Sequence, residues 1–123
     1  MKEIFIVGMG GFLGTIIRYV IWVWSLNLNI NFPSGTLIVN LLGSLVLGLL
    51  FGYFGKNSSL NWELLLMTGF CGGFTTFSTF SLDLLKMFKE DLAYQAIIYG
   101  TVSVIGGLLC CLLGFWLMQK VFA

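Results

Sequence analysis

In the stretch GFCGGFTTFSTFSLDLL (Gly69–Leu85), a double glycine is followed by five hydroxyl residues threaded between three phenylalanines. A helix advances about 100° per residue, so Phe74, Phe77 and Phe80 would form one row and Thr75, Ser78 and Ser81 a second row beside it. Ring edges are the electropositive part of an aromatic quadrupole, and hydroxyls donate hydrogen bonds. Together the two rows offer a neutral surface rich in donors, which suits a small anion. Gly72-Gly73 precede the rows, and glycine permits local unwinding. A helix broken there frees carbonyl oxygens that must be satisfied, and carbonyl oxygens suit a hard monovalent cation.

Other polar residues punctuate apolar runs. Thr36, Asn40 and Ser44 recur at i, i+4 and i+8 in GTLIVNLLGS, which places them on one helical stripe. Tyr99 and Ser103 share a face in YGTVSVIGG, and Thr15 and Arg18 lie in the first apolar run. A lone Ser or Thr in an apolar helix usually bonds its own backbone. Asn40 differs, because no single carbonyl uses both of its amide donors, so a partner or a wet path is expected beside it.

The missing groups narrow the chemistry. There is no histidine, which removes Ser-His-Asp and Cys-His catalysis. Cys71, Cys110 and Cys111 lie in apolar runs and read as small buried hydrophobes. No set of side chains has zinc-ligand spacing, and no nucleophile–base pair points to an enzyme. The carboxylates Glu3, Glu63, Asp83, Glu90 and Asp91 all fall at or near the ends of apolar runs. A proton-coupled or cation pathway needs such a group at membrane depth.

These residues must be held by elements built for lipid. The 123-residue chain is 59% hydrophobic and 9% charged, against about a quarter charged in soluble domains, and its mean hydropathy is +1.01. So short a chain has too little interior to hide that much apolar surface from water. Spanning helices need about 20 mostly apolar residues, and four windows qualify: residues 4–24, 35–54, 62–88 and 92–118. The breaks are Asn-rich SLNLNINFPS (Ser25–Ser34), GKNSSLN (Gly55–Asn61) and KEDLAY (Lys89–Tyr94). The opening MKEIFIVGMGG has no small-residue cleavage site and is expected to be a retained first span. The expected fold is all-α and integral to the inner (plasma) membrane, one multi-pass domain over residues 1–123.

With four spans, Lys2, Lys56 and Lys120 fall on the side of the termini, and Arg18, Lys86 and Lys89 on the other. Orientation normally follows an excess of basic residues on the cytoplasmic side, and here neither side has one. Insertion both ways up, with an antiparallel homodimer, is the sharper expectation. Gly10/Gly14 and Gly48/Gly52 have the small-xxx-small spacing of closely packed membrane helices. A net charge of +1 argues against a nucleic-acid partner.

In their order across the four spans, GGFLGTIIRY, GTLIVNLLGS and GFCGGFTTFSTFS resemble the Fluc (CrcB) family of fluoride channels. The resemblance implies a dual-topology antiparallel homodimer with two pores, passive fluoride export that protects the cell, and a central structural Na⁺ at the interface. It implies Na⁺ ligation by backbone carbonyls of Gly72 and Thr75. It implies a fluoride pathway along Asn40, Phe77, Phe80, Thr36, Ser78, Thr79, Tyr99 and Ser103, with Arg18 at a vestibule or interface. Asp83 stands where a glutamate is common in the family, and Gly107 where some members carry a hydroxyl. Two other readings stand beside it. A small proton-coupled exporter would need a carboxylate within the first span, which residues 4–24 lack. A non-transporting membrane scaffold would need a second kind of chain to act on.

Overall fold

The computed structural model describes residues 1–28 and 32–122, and these contain helices and turns with no strand among them. Helix α1 (Lys2–Leu26) and helix α2 (Ser34–Phe54) are continuous. A third run is segmented into α3 (Leu60–Glu63), a π-helical stretch (Leu64–Cys71), α4 (Gly72–Phe74) and α5 (Phe77–Lys89). Helix α6 (Ala93–Val121) closes the order. The limits differ from the expected windows by less than a turn. Ser25 and Leu26, expected in the first loop, belong to α1, and residues 29–31 of that loop lie outside the described residues.

Helices α1, α2 and α6 are each long and apolar enough to cross a membrane. Their large side chains point outward: Phe5, Phe12, Val104 and Leu108 are all mostly exposed. Such a surface is stable against lipid and unstable against water. The protein is a multi-pass membrane protein.

Close backbone contact holds the helices together. On α2, a Cβ at Gly48 would collide with the Cys111 carbonyl of α6, and one at Gly52 would lie 2.8 Å from Met118 Cβ. Residue numbers rise together along that contact, so α2 and α6 pack side by side in the same direction. On α1, a Cβ at Gly10 or Gly14 would lie 2.8 Å from the backbone nitrogen of Phe70 or Phe74, respectively. Both small-residue pairs therefore sit where helices touch. Such contact substitutes dispersion and backbone proximity for the hydrophobic drive that lipid removes.

The third run is not broken at Gly72-Gly73. Both glycines are helical, and the chain becomes extended at Thr75 (φ −84°, ψ 157°) and Thr76 (φ −149°, ψ 120°). Gly73 serves close packing instead: a Cβ there would collide with the Gly11 carbonyl, so its missing side chain lets α4 lie against α1. Gly72 faces open space. The two glycines give one close approach and one bare surface, and the unwinding falls on threonines, whose β-branched side chains favour extended backbone.

A small hydrophobic cluster sits between α2, α5 and α6. Phe80, Met87, Ala96 and Tyr99 form it, with Phe32, Leu37, Leu84 and Leu92 packed against it.

Candidate functional site

The break at Thr75–Thr76 organises the polar residues. Asn40 reaches across from α2 and pairs with the Thr76 backbone in both directions. Its Nδ2 donates to the Thr76 carbonyl at 3.0 Å, and its Oδ1 accepts from Thr76 N–H at 2.8 Å. A primary amide has the same donor and acceptor spacing as a peptide, so it replaces a missing backbone neighbour. The sequence led to the expectation of a partner or a wet path beside Asn40. The partner is the break itself.

Thr76 then starts the next helix. Its Oγ1 accepts from Thr79 N–H at 3.2 Å, capping α5, and donates to Thr79 Oγ1 at 3.0 Å. Ser78 Oγ lies 3.3 Å from the same oxygen. On the near side of the break, Thr75 Oγ1 donates back to the Cys71 carbonyl at 2.8 Å. Local hydroxyl bonds of this kind replace helix bonds that the extended residues forgo.

The break also resets the helical phase, so the three phenylalanines do not form one row. Phe74 is buried and stacks on Phe70, with ring centroids 5.6 Å apart and planes at 12°. Phe77 is 79% exposed and Phe80 only 8%, yet their rings lie 5.7 Å apart at 45°. Phe80 also meets Tyr99 at 5.2 Å. Two rings, not three, belong to the α5 side.

The remaining residues divide between two cavities. The larger, about 390 Å³, is lined by Arg18 and Trp22 of α1, Thr36 of α2, and Thr76, Ser78 and Thr79. The smaller, about 260 Å³, is lined by Asn40 and Ser44 of α2, Thr75, Thr76, Phe77 and Phe80, and Ser103 of α6. Thr76 borders both. Ser103 Oγ is buried and has no hydrogen-bond partner. An orphaned hydroxyl costs roughly 1–3 kcal/mol, so its place on a cavity wall points to something polar that enters.

Tyr99 and Gly72 border neither of these cavities. Tyr99 is fully buried behind Phe80, between Phe32 at 5.3 Å and Asp83, whose Oδ2 accepts from the tyrosine hydroxyl at 3.2 Å. That hydrogen bond had no signal in the sequence beyond the presence of both residues. Ser44 was visible as part of the α2 stripe, and the structure adds it to the smaller cavity. Among the described residues, no cluster of His, Cys, Asp or Glu is placed to hold a metal ion.

The walls thus carry amide and hydroxyl groups and no carboxylate, with two phenylalanines at the smaller cavity and one arginine at the larger. The chain matches the sequence profile described as CrcB-like protein, Camphor Resistance (CrcB), over residues 5–115. It is 39% identical over 127 residues to a protein of Erwinia tasmaniensis named fluoride-specific ion channel FluC, covering 99% of each chain. A protein of that name from Agrobacterium fabrum is 38% identical over 125 residues, covering 99% of this chain and 100% of its own. One from Escherichia coli O1:K1 is 37% identical over 125 residues, covering 100% and 99%. Matched from end to end by such relatives, the chain belongs to the CrcB family.

Proposed function

We propose that this protein is a passive, fluoride-selective channel that lets cytoplasmic fluoride leave through the plasma membrane and so protects the cell from its toxicity. The observation that carries the proposal is the buried, unpartnered Ser103 Oγ on a cavity shared with Asn40, Phe77 and Phe80. Fluoride is small, hard and strongly hydrated, so a pathway must replace its water with closely spaced donors. Asn40, Ser103 and the ring edges of Phe77 and Phe80 supply them on one side of the break, and Thr36, Ser78 and Thr79 on the other. Tyr99 supports Phe80 from behind. Arg18 biases the larger cavity toward anions. Glu3, Glu63, Glu90 and Asp91 stay at helix ends or in turns, and Asp83, midway along α5, is engaged by the Tyr99 hydroxyl and lines neither cavity, which favours flux without proton coupling and disfavours an enzyme.

In this reading residues 1–123 form a single four-span domain, the segmented third run being the remaining crossing. The working unit is an antiparallel homodimer of dual topology, because neither cavity beside the break closes into a pore within one chain and the basic residues are evenly balanced. A structural Na⁺ at its centre would supply a fixed positive charge that ties the two breaks together. The residues fit such an ion. In a continuous helix Thr76 N–H would bond the Gly72 carbonyl and Thr79 N–H the Thr75 carbonyl. Here those donors bond Asn40 Oδ1 and Thr76 Oγ1 instead, which leaves both carbonyls available. Gly72 is exposed and bare, so a second copy can approach it.

The test is fluoride efflux from proteoliposomes of the purified protein, followed with a fluoride electrode, with chloride release as control. Fast, voltage-driven fluoride release with little chloride is expected. Absence of fluoride release from well-folded protein would overturn the reading in favour of a scaffold, and flux that requires a proton gradient would favour an exporter.

A further inference from the structure

We propose that Ser44 is an anion-contacting residue and that Gly107 keeps open the passage beside it, extending the pathway one helical turn beyond Asn40 and Ser103. The proposal rests on the channel reading above and adds a specificity-determining position to it.

Helices α2 and α6 run side by side in a fixed register. A Cβ at Gly48 would meet the Cys111 carbonyl, and a Cβ at Gly107 would lie 3.5 Å from Ser44 Oγ. Both pairs have the same offset, so stepping back one turn sets Asn40 beside Ser103. The α2 stripe therefore runs along α6 in rungs. One rung is Asn40 with Ser103, and the next is Ser44 with Gly107. Both α2 residues and Ser103 line the same cavity.

Several helical hydroxyls elsewhere in this chain are spent on nearby backbone. Ser81 Oγ donates to the Phe77 carbonyl at 3.0 Å, Thr75 Oγ1 to the Cys71 carbonyl at 2.8 Å, and Ser25 Oγ to the Trp22 carbonyl at 2.7 Å. That is the usual fate of a hydroxyl in an apolar helix. Ser103 Oγ has no partner, and among the described hydrogen bonds none recruits Ser44 Oγ. Two successive rungs thus turn unspent hydroxyls into one cavity. A side chain at 107 would fill the space in front of Ser44. Glycine leaves it free, at a distance where a methyl group would make ordinary contact and not a clash.

The experiment compares fluoride efflux from proteoliposomes of wild type, Ser44→Ala, Ser44→Thr and Gly107→Ala, with Ser81→Ala as a control hydroxyl. A hydrogen bond to an ion is worth about a tenfold to hundredfold change in rate. Ser44→Ala should therefore lower fluoride efflux at least tenfold and reduce the preference for fluoride over chloride, while its melting temperature stays within a few degrees of wild type. Ser44→Thr, which keeps the hydroxyl, should recover most of the flux, and Ser81→Ala should conduct as wild type. Gly107→Ala should slow efflux by obstruction without loss of folded protein. Wild-type efflux and selectivity in both Ser44→Ala and Gly107→Ala would overturn the proposal and leave the channel reading standing. No fluoride efflux from the wild type would remove the channel reading, and this proposal with it.

Discussion

Replacing Asn40 by alanine is the sharpest perturbation of the break. The change removes two hydrogen bonds, at 3.0 and 2.8 Å, and strands both backbone groups of Thr76. Two scales bear on the cost. Orphaning a buried polar group costs roughly 1–3 kcal/mol, so two would lose about 2–6 kcal/mol. Hydrogen bonds inside membrane proteins average only about 0.6 kcal/mol, with a maximum near 1.7. The lower scale governs here, because Thr76 borders both cavities and water that enters can bond the stranded groups. The expected loss is about 1–3 kcal/mol. It should appear as a lower melting temperature in detergent and as faster amide exchange at Thr76, together with loss of fluoride efflux. Asn40→Asp gives a second reading of the same contact. A carboxylate can still accept from Thr76 N–H but opposes the Thr76 carbonyl and adds a negative charge to the cavity wall, so efflux should fall as far while stability falls no less. If Asn40→Ala kept both its melting temperature and the protection of the Thr76 amide, the pairing would not hold the break, and the account of the site would fail at its centre.

Three further outcomes are expected. Phe80→Ile removes ring contacts with Phe77 at 5.7 Å and Tyr99 at 5.2 Å, each worth about 0.5–1.5 kcal/mol; fluoride efflux should collapse, and unchanged efflux would detach the ring from the pathway. Gly10→Ala places a methyl 2.8 Å from Phe70 N, where real Cβ atoms do not sit, so α1 must move away; the folded fraction by size-exclusion chromatography should drop, whereas Gly72→Ala, facing open space within one chain, should stay folded and shift only the balance of monomer and dimer. Asp91→Gly relieves a left-handed residue (φ 56°) in the turn after α5 and should stabilise the protein by roughly 0.5–1 kcal/mol, read as a higher melting temperature with fluoride efflux unchanged.

The spans and their contacts were legible in the sequence because they depend on local sums. Run length against bilayer thickness located α1, α2 and α6, and small-residue spacing located the faces of Gly10/Gly14 and Gly48/Gly52. The break was not legible at the right residue, and the reason is physical. Gly72-Gly73 has the local propensity to unwind, but Gly73 is held helical by its close contact with Gly11. Thr75 and Thr76 have no special local signal beyond β-branching. What fixes the break there is an amide 36 residues earlier in the chain, and a pairing at that separation leaves no trace in a helical wheel. The position of the break also decides where the rings go. A wheel that continues through residue 76 puts Phe74 in line with Phe77 and Phe80, whereas the extended residues rotate it into the packing against Phe70.

The same contact explains why a costly polar residue stands in the middle of α2. A buried amide in an apolar helix needs partners, and an interrupted helix in a membrane needs substitutes for its lost backbone bonds. Asn40 and Thr76 answer each other's requirement. Each would be unstable in this setting without the other, so the stripe on α2 and the break after α4 are one structural unit. That unit sets Thr76 between the two cavities and places Ser78 and Thr79 on one and the rings of Phe77 and Phe80 on the other. Substitutions at either end should therefore be non-additive in function. In a double-mutant cycle, Thr76→Ala deletes the cap on Thr79 but keeps the backbone groups that Asn40 holds. Its coupling to Asn40→Ala should be small in stability and large in fluoride efflux. Independent losses in efflux would mean that the two cavities work separately.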